Sequence, residues 1–326
     1  MTSELAMRGL VTVFGGSGFV GRHTVRALAR RGWRIRVACR RPDLAGHLQP
    51  MGRVGQIHAV QANVRNADSV RRAVEGADAV VNLVAILAPS GQQTFEAVHV
   101  AGARTVAKAA ADISAKQLVH VSAIGADLKA GGRYGKTKAE GECAVLGTFP
   151  RAVILRPSIV FGPEDDFFNR FAAMARIAPV MPLIGGKTKF QPVYVGDVAA
   201  AIAAACDGQA APGTTYELGG PEVLTFRKLL DRTQEWTGRD RPYLSVPFWL
   251  ASLGAMLTAP LPAGLRPLTA DQVRMLRQNN IVSETAEREG RTLHALGVET
   301  PHAIDSIVPT YLEQFKPKGQ YSHYRG

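Results

Sequence analysis

Residues 10–21 read Leu-Val-Thr-Val-Phe-Gly-Gly-Ser-Gly-Phe-Val-Gly, an apolar strand that runs into Gly15, Gly18 and Gly21 at a fixed three-residue step. A helical stretch follows at once. Few backbones accept that order. Gly15 permits a tight turn, Gly18 lets backbone N–H groups approach a pyrophosphate, and Gly21 lets the helix pack close on the strand. The positive end of that helix favours phosphate. The motif therefore predicts a dinucleotide crevice lined by Gly15, Ser17, Gly18, Phe19, Val20 and Gly21. A glycine triplet in an ordinary loop would lack the ordered strand, turn and helix.

The first half of the chain repeats this alternation. Strands are expected at 10–14, 34–39, 55–61, 79–84, 117–122 and 153–156, with helices at 20–31, 67–76, 95–113 and 133–146. Short apolar runs separated by helical periodicity specify α/β architecture with a doubly wound parallel sheet, which binds ligands at the carboxyl ends of its strands. We expect a Rossmann domain at 8–162, a smaller mixed lobe at 163–315 interleaved with it in space, and an extended basic tail at 316–326. Helices are expected at 167–176 and 198–206 in the looser second half.

Hydrophobic residues make up 46% and charged residues 20%, the balance of a globular chain rather than a disordered one. Cys39, Cys143 and Cys206 are odd in number and far apart, so neither a disulfide framework nor a metal site is expected, and a reducing compartment is. The N-terminus lacks a basic run followed by an apolar stretch, so no signal peptide is expected. A net charge of +12 suggests an anionic partner: phosphate, an acidic protein surface or lipid. The cations are scattered rather than striped and no nucleic-acid-binding motif occurs, so no nucleic acid partner is expected.

One segment, 246–257, contains no charged residue, and the apolar character extends to about 261. It is too short to span a bilayer. Two readings stand: a buried helix, or an exposed patch that meets a membrane or partner through Phe248, Trp249 and Met256, helped by Arg241 and Arg266.

Position assigns the remaining cofactor contacts. Arg40 and Arg41 follow the second strand, where an acidic residue would take a ribose 2′-hydroxyl; two guanidinium groups suit a 2′-phosphate and hence NADP(H). Asp43 lies beyond Pro42 and is the lesser candidate. Asn63 and Val64 follow the third strand, where the adenine edge would lie, and Val84 and Ala85 end the fourth. Tyr134 and Lys138, four apart on one helix, share a face. An ammonium beside a phenol lowers the phenol's pKa, which suits proton exchange with a carbonyl.

With these residues the chain resembles the short-chain dehydrogenase/reductase superfamily in its extended or atypical branch. The resemblance rests on Gly15/Gly18/Gly21, Val121-Ser122, Tyr134/Lys138, residues 155–162 (Leu-Arg-Pro-Ser-Ile-Val-Phe-Gly) and residues 191–199 (Gln-Pro-Val-Tyr-Val-Gly-Asp-Val-Ala), and covers residues 10 to about 220. It implies that Val121, Ser122, Pro157, Ser158 and Ile159 also lie near the cofactor. Two departures bear on turnover. The Ser or Thr that the family places on the substrate carbonyl is Ala123, and an asparagine often found after the fourth strand is replaced by His99.

At phrase level, His120-Val121-Ser122, Arg133-Tyr134, residues 138–142, residues 161–169 and residues 191–195 resemble the nucleotide-binding accessory subunits of respiratory complex I. That resemblance implies an NADPH-holding subunit without turnover of its own, with Tyr134 and Lys138 vestigial or cofactor-positioning. It also implies partnership with other complex I subunits, and a peripheral site on the cytoplasmic (matrix-equivalent) face of the inner membrane, near the quinone site. The alternative is a free NADP-dependent reductase or nucleotide-sugar epimerase/dehydratase that uses Tyr134 and Lys138.

Overall fold

The computed structural model describes residues 8–257 and 270–317. Two compact units emerge, neither continuous in sequence. The first runs to Pro157 and adds Val195–Leu218 and Ser283–Glu299; the second comprises Ser158–Tyr194 and the described parts of Gly219–Val282 and Thr300–Gly326.

The first unit is built on a seven-stranded parallel sheet. Its strands are β1 (Leu10–Phe14), β2 (Arg34–Cys39), β3 (Ile57–Gln61), β4 (Ala79–Asn82), β5 (Gln117–Val121), β6 (Val153–Pro157) and β7 (Thr215–Leu218). In space they run β7-β6-β5-β4-β1-β2-β3, so the order reverses between β4 and β1. Helices α1 (Phe19–Arg30), α2 (Ala67–Val74), α3 (Ala103–Asp112), α4 (Arg133–Thr148) and α5 (Val195–Cys206) cover the sheet. All of β4 is buried, as expected of a parallel strand covered on both faces. On one face Phe14, Val80, Leu118 and Ile154 pack with Val70, Val74, Val106, Ala107 and Val145.

Four details differ from the sequence reading. β4 stops at Asn82 rather than 84, because the Asn82 side chain accepts from the Val84 N–H at 3.1 Å and turns the chain. The helix expected at 95–113 begins as a π-helical turn, Glu96–Gly102, before α3. α5 begins three residues before the expected 198. β7 was not expected: Thr-Tyr-Glu-Leu is short and half polar, and gains its strand character by pairing with β6.

The second unit packs helices Phe167–Ile177, Phe226–Trp236 and Ile304–Leu312 around Phe161, Phe168, Leu229 and Val308. Asp165 organises its entry. One carboxylate oxygen accepts from the Phe168 and Asn169 N–H groups at 2.7 and 3.2 Å, and the other from Gly162 N–H and the Tyr311 hydroxyl at 3.1 and 2.5 Å. The uncharged segment forms the helix Phe248–Leu257, and Trp249 is 68% exposed, Leu250 45% and Leu253 47%, which favours the exposed reading. The Met256 side chain, Arg266, residues 258–261 and residues 318–326 lie outside the described residues.

Candidate functional site

The glycine turn sits where the strand order reverses. Gly15 has φ +80°, and a Cβ there would sit 3.4 Å from the Leu83 and Val84 backbone, so the ends of β1 and β4 approach closely. A Cβ on Gly21 would lie 2.2 Å from the Gly15 carbonyl oxygen, so the packing of α1 on the turn requires glycine. Gly18 differs. A Cβ there would meet only the Gly15 carbonyl oxygen, at 3.4 Å, an ordinary contact. Gly18 has φ −78° and caps α1 with no side-chain hydrogen bond, and the first turn carries no acidic residue. The chain's own packing thus leaves the space over the turn open, and the helix end favours an anion. Ser17 lies half-buried beside it and hydrogen-bonds the buried Cys39 thiol, whose pKa burial raises.

Arg40 and Arg41 are exposed at the end of β2 but have different partners. Arg41 is ion-paired with Asp43 at 2.9 Å, whereas Arg40 donates to the neutral Gln93 side chain at 2.6 Å. Asn63 uses its side-chain oxygen on the Arg65 N–H at 3.1 Å, and Val64 is buried in the core with its side chain against Gly102. Val84 is half-buried and Ala85 exposed.

A buried cluster fills the end of β5 and the face of α4. Lys138, 2% exposed, donates to the Val121 carbonyl at 2.9 Å. Burial pulls its pKa down to about 8, with Glu142 opposing. Tyr134 meets Phe95 and His99 edge-on, with ring centroids 6.0 and 5.5 Å apart. Burial pushes its phenol up to about 12, the reverse of the depression that its spacing from Lys138 suggested. Burial of the hydroxyl governs the titration here, and the lysine's bond to the Val121 carbonyl engages its ammonium elsewhere.

His99 stands in this cluster. Its Nε2 accepts from the Ile86 N–H at 3.1 Å, which assigns the ring proton to Nδ1, 3.1 Å from Thr137 Oγ1. Thr137 in turn donates to the Arg133 carbonyl at 2.8 Å. Burial, seconded by the Lys138 charge, holds His99 down at about 3, so it is neutral. The sequence reading missed His120. Its Nδ1 accepts from the Asn82 side-chain amide at 3.2 Å, and burial keeps it well below the usual histidine range. Only its place inside an apolar strand hinted at such a role. Ala123 follows Ser122, whose hydroxyl is buried without a hydrogen-bond partner among the described residues. Pro157 ends β6. Ser158 and Ile159 fall in the second unit, where the Ser158 hydroxyl donates to Asn280 at 2.7–2.9 Å and the Ile159 N–H to the Asn280 side chain at 3.1 Å.

An open glycine turn at a helix N-terminus, the orphaned Ser122 hydroxyl and a buried lysine bonded to the adjacent Val121 carbonyl fit a nicotinamide dinucleotide. Residues 11–219 match the model of the NAD dependent epimerase/dehydratase family. The chain belongs to that family. Within it, the chain is 38% identical over 308 residues to NADH dehydrogenase (ubiquinone) 1 alpha subcomplex subunit 9, mitochondrial, of Mus musculus, covering 91% of this chain and 78% of that protein. It is 35% identical over 326 residues to the protein of the same name in Arabidopsis thaliana, covering 95% and 79%. Among solved structures, the NADPH complex of an Escherichia coli NADPH-dependent quinone oxidoreductase superposes with a TM-score of 0.71 at 20% identity, covering 93% of this chain and 99% of that one. This last likeness bears on the fold alone, the short-chain dehydrogenase type of Rossmann fold.

Proposed function

We propose that the chain is an accessory subunit of respiratory complex I, the NADH:quinone oxidoreductase, and holds NADP(H) in its first unit without turning it over. The observation that carries this reading is the identity of 35–38% with subunit 9 proteins along more than nine-tenths of the chain. When bound, a nicotinamide dinucleotide supplies a hydride donor or acceptor. The first turn of α1 would take its pyrophosphate, and Arg40 would face the 2′-phosphate. Lys138, donating to the Val121 carbonyl, has further N–H groups for a ribose.

The proton chemistry around that cofactor is weak. Tyr134 holds its proton up to about pH 12, Ala123 offers no hydroxyl to a carbonyl, and neutral His99 and His120 hold no exchangeable positive charge. Such a set suits a retained cofactor better than a turning-over one.

The helix Phe248–Leu257 supports peripheral docking on the cytoplasmic, matrix-equivalent face of the membrane, near the quinone side of the complex. It has no charge, and its exposed Trp249 suits the interface between lipid and water. Among the described residues no helix is long and apolar enough to cross a membrane. The chain's net charge of +12 favours an anionic lipid surface.

Fractionation of detergent-solubilised membranes through a tag on this chain tests the reading. NADH:quinone oxidoreductase activity should elute with the tag. Activity wholly in the unbound fraction would defeat the assignment.

A further inference from the structure

Two exposed arginines reach a single turn in the first unit. The loop after β4 closes as a tight hairpin in which Ser90 and Gln93 exchange N–H···O bonds of 3.0 Å, with Gly91 at φ +54°. Arg40, from the end of β2, donates to the Gln93 side chain at 2.6 Å. Arg65, from the turn after β3, donates to the Gln92 carbonyl at 3.1 Å and approaches the Gln92 side-chain oxygen at 3.4 Å. Because Gln92 and Gln93 are consecutive, the two guanidinium groups are bound to adjacent residues of one turn. Neither is ion-paired among the described residues, whereas Arg41 spends its charge on Asp43 at 2.9 Å. Asn63 fixes the Arg65 end by accepting from the Arg65 N–H at 3.1 Å.

Two uncompensated cations held only by amide oxygens make a site for a dianion. Amide oxygens offer hydrogen bonds but no neutralising charge, so a phosphomonoester would replace them favourably and form charge-assisted bonds. The geometry points to a 2′-phosphate clamp made by Arg40 and Arg65, with the Gln92–Gln93 turn as its neutral placeholder and Arg41 outside it. This inference rests on the NADP(H) reading and reassigns the second cation from Arg41 to Arg65. Arg65 lies four residues beyond the end of β3, so no motif at the end of β2 could have marked it.

The test is calorimetric titration of the full chain with NADPH and with NADH, and with adenosine 2′,5′-bisphosphate against adenosine 5′-monophosphate, at one fixed salt concentration. Losing a charge-assisted contact corresponds to about tenfold or more in affinity. Arg40→Ala and Arg65→Ala should each weaken NADPH and the bisphosphate by about that factor while leaving NADH and the monophosphate within about twofold. Arg65→Lys should fall between, and Arg41→Ala should stay within about twofold of wild type for all four ligands. If wild type prefers NADPH but Arg65→Ala keeps the full preference, or if Arg41→Ala abolishes it, the clamp is wrong and the NADP(H) reading survives. A wild type that binds NADH as tightly as NADPH removes that reading and the clamp with it.

Discussion

Lys138 donates its ammonium to the Val121 carbonyl at 2.9 Å, tying the second turn of α4 to the end of β5. The price of that tie is a buried cation, which lowers the lysine's pKa from 10.5 to about 8. Between those two values the unfolded chain binds the proton that the folded chain has released, so stability rises with pH across the window. Below about 8 that contribution is lost. Urea titrations from pH 7 to 10 should show Lys138→Met flattening this slope relative to wild type, against a full effect of roughly 3 kcal/mol. Equal slopes in the two proteins would mean that Lys138 titrates as an ordinary surface lysine.

His99 predicts an acid counterpart. Its pKa falls from 6.5 unfolded to about 3 folded, so its contribution is present above 6.5 and is lost as pH falls towards 3. His99→Gln should unfold less steeply than wild type across that range, by a few kcal/mol in total. The difference in slope, measured by denaturant midpoints at pH 6.5, 5 and 4, isolates His99 from the carboxylates that titrate alongside it. An unchanged slope would show that the imidazole is not held neutral.

The glycines separate folding from binding. Gly21→Ala puts a carbon 2.2 Å from the Gly15 carbonyl oxygen and should cost several kcal/mol through backbone displacement. At Gly18, with φ −78°, a Cβ has only the Gly15 carbonyl oxygen near it, at 3.4 Å, so Gly18→Val should fold while losing NADPH binding, because its side chain takes the space left for the pyrophosphate. Thermal melts and cofactor titration on both variants decide the point; a folded Gly18→Val protein with wild-type affinity would move the phosphate site elsewhere.

Much of this was legible in the sequence, for a physical reason. Leu10–Phe14, the glycine step and the short, largely apolar runs of β2, β4 and β5 are local signals, because strands covered on both faces bury mostly apolar side chains. β7 was invisible because Thr215–Leu218 becomes a strand only through its partner β6, some sixty residues away. Tyr134 and Lys138 both fall in α4, as their spacing suggested, but the electrostatics of the pair depend on burial, which spacing does not encode. The exposed Trp249 lay within the apolar segment, where sequence alone left core and surface readings both open.

That tryptophan gives the membrane prediction. Trp249 is two-thirds exposed, so Trp249→Glu should change stability by less than about 0.5 kcal/mol. It should lower recovery of the chain with anionic phosphatidylglycerol vesicles, and added salt should lower wild-type recovery as well, because nearby cations contribute about 1 kcal/mol each. NADPH affinity should be untouched. Undiminished vesicle recovery of a folded Trp249→Glu protein would exclude this helix as the contact.

A nicotinamide cofactor held within complex I and not consumed there would be visible in the nucleotide content of the tag-purified complex, measured before and after NADH:quinone turnover. About one NADP(H) per copy of this chain is expected, unchanged in amount and redox state after many turnovers. A complex containing this chain but no NADP(H), or one whose bound nucleotide is oxidised and re-reduced at the turnover rate and falls silent in Tyr134→Phe, would contradict it.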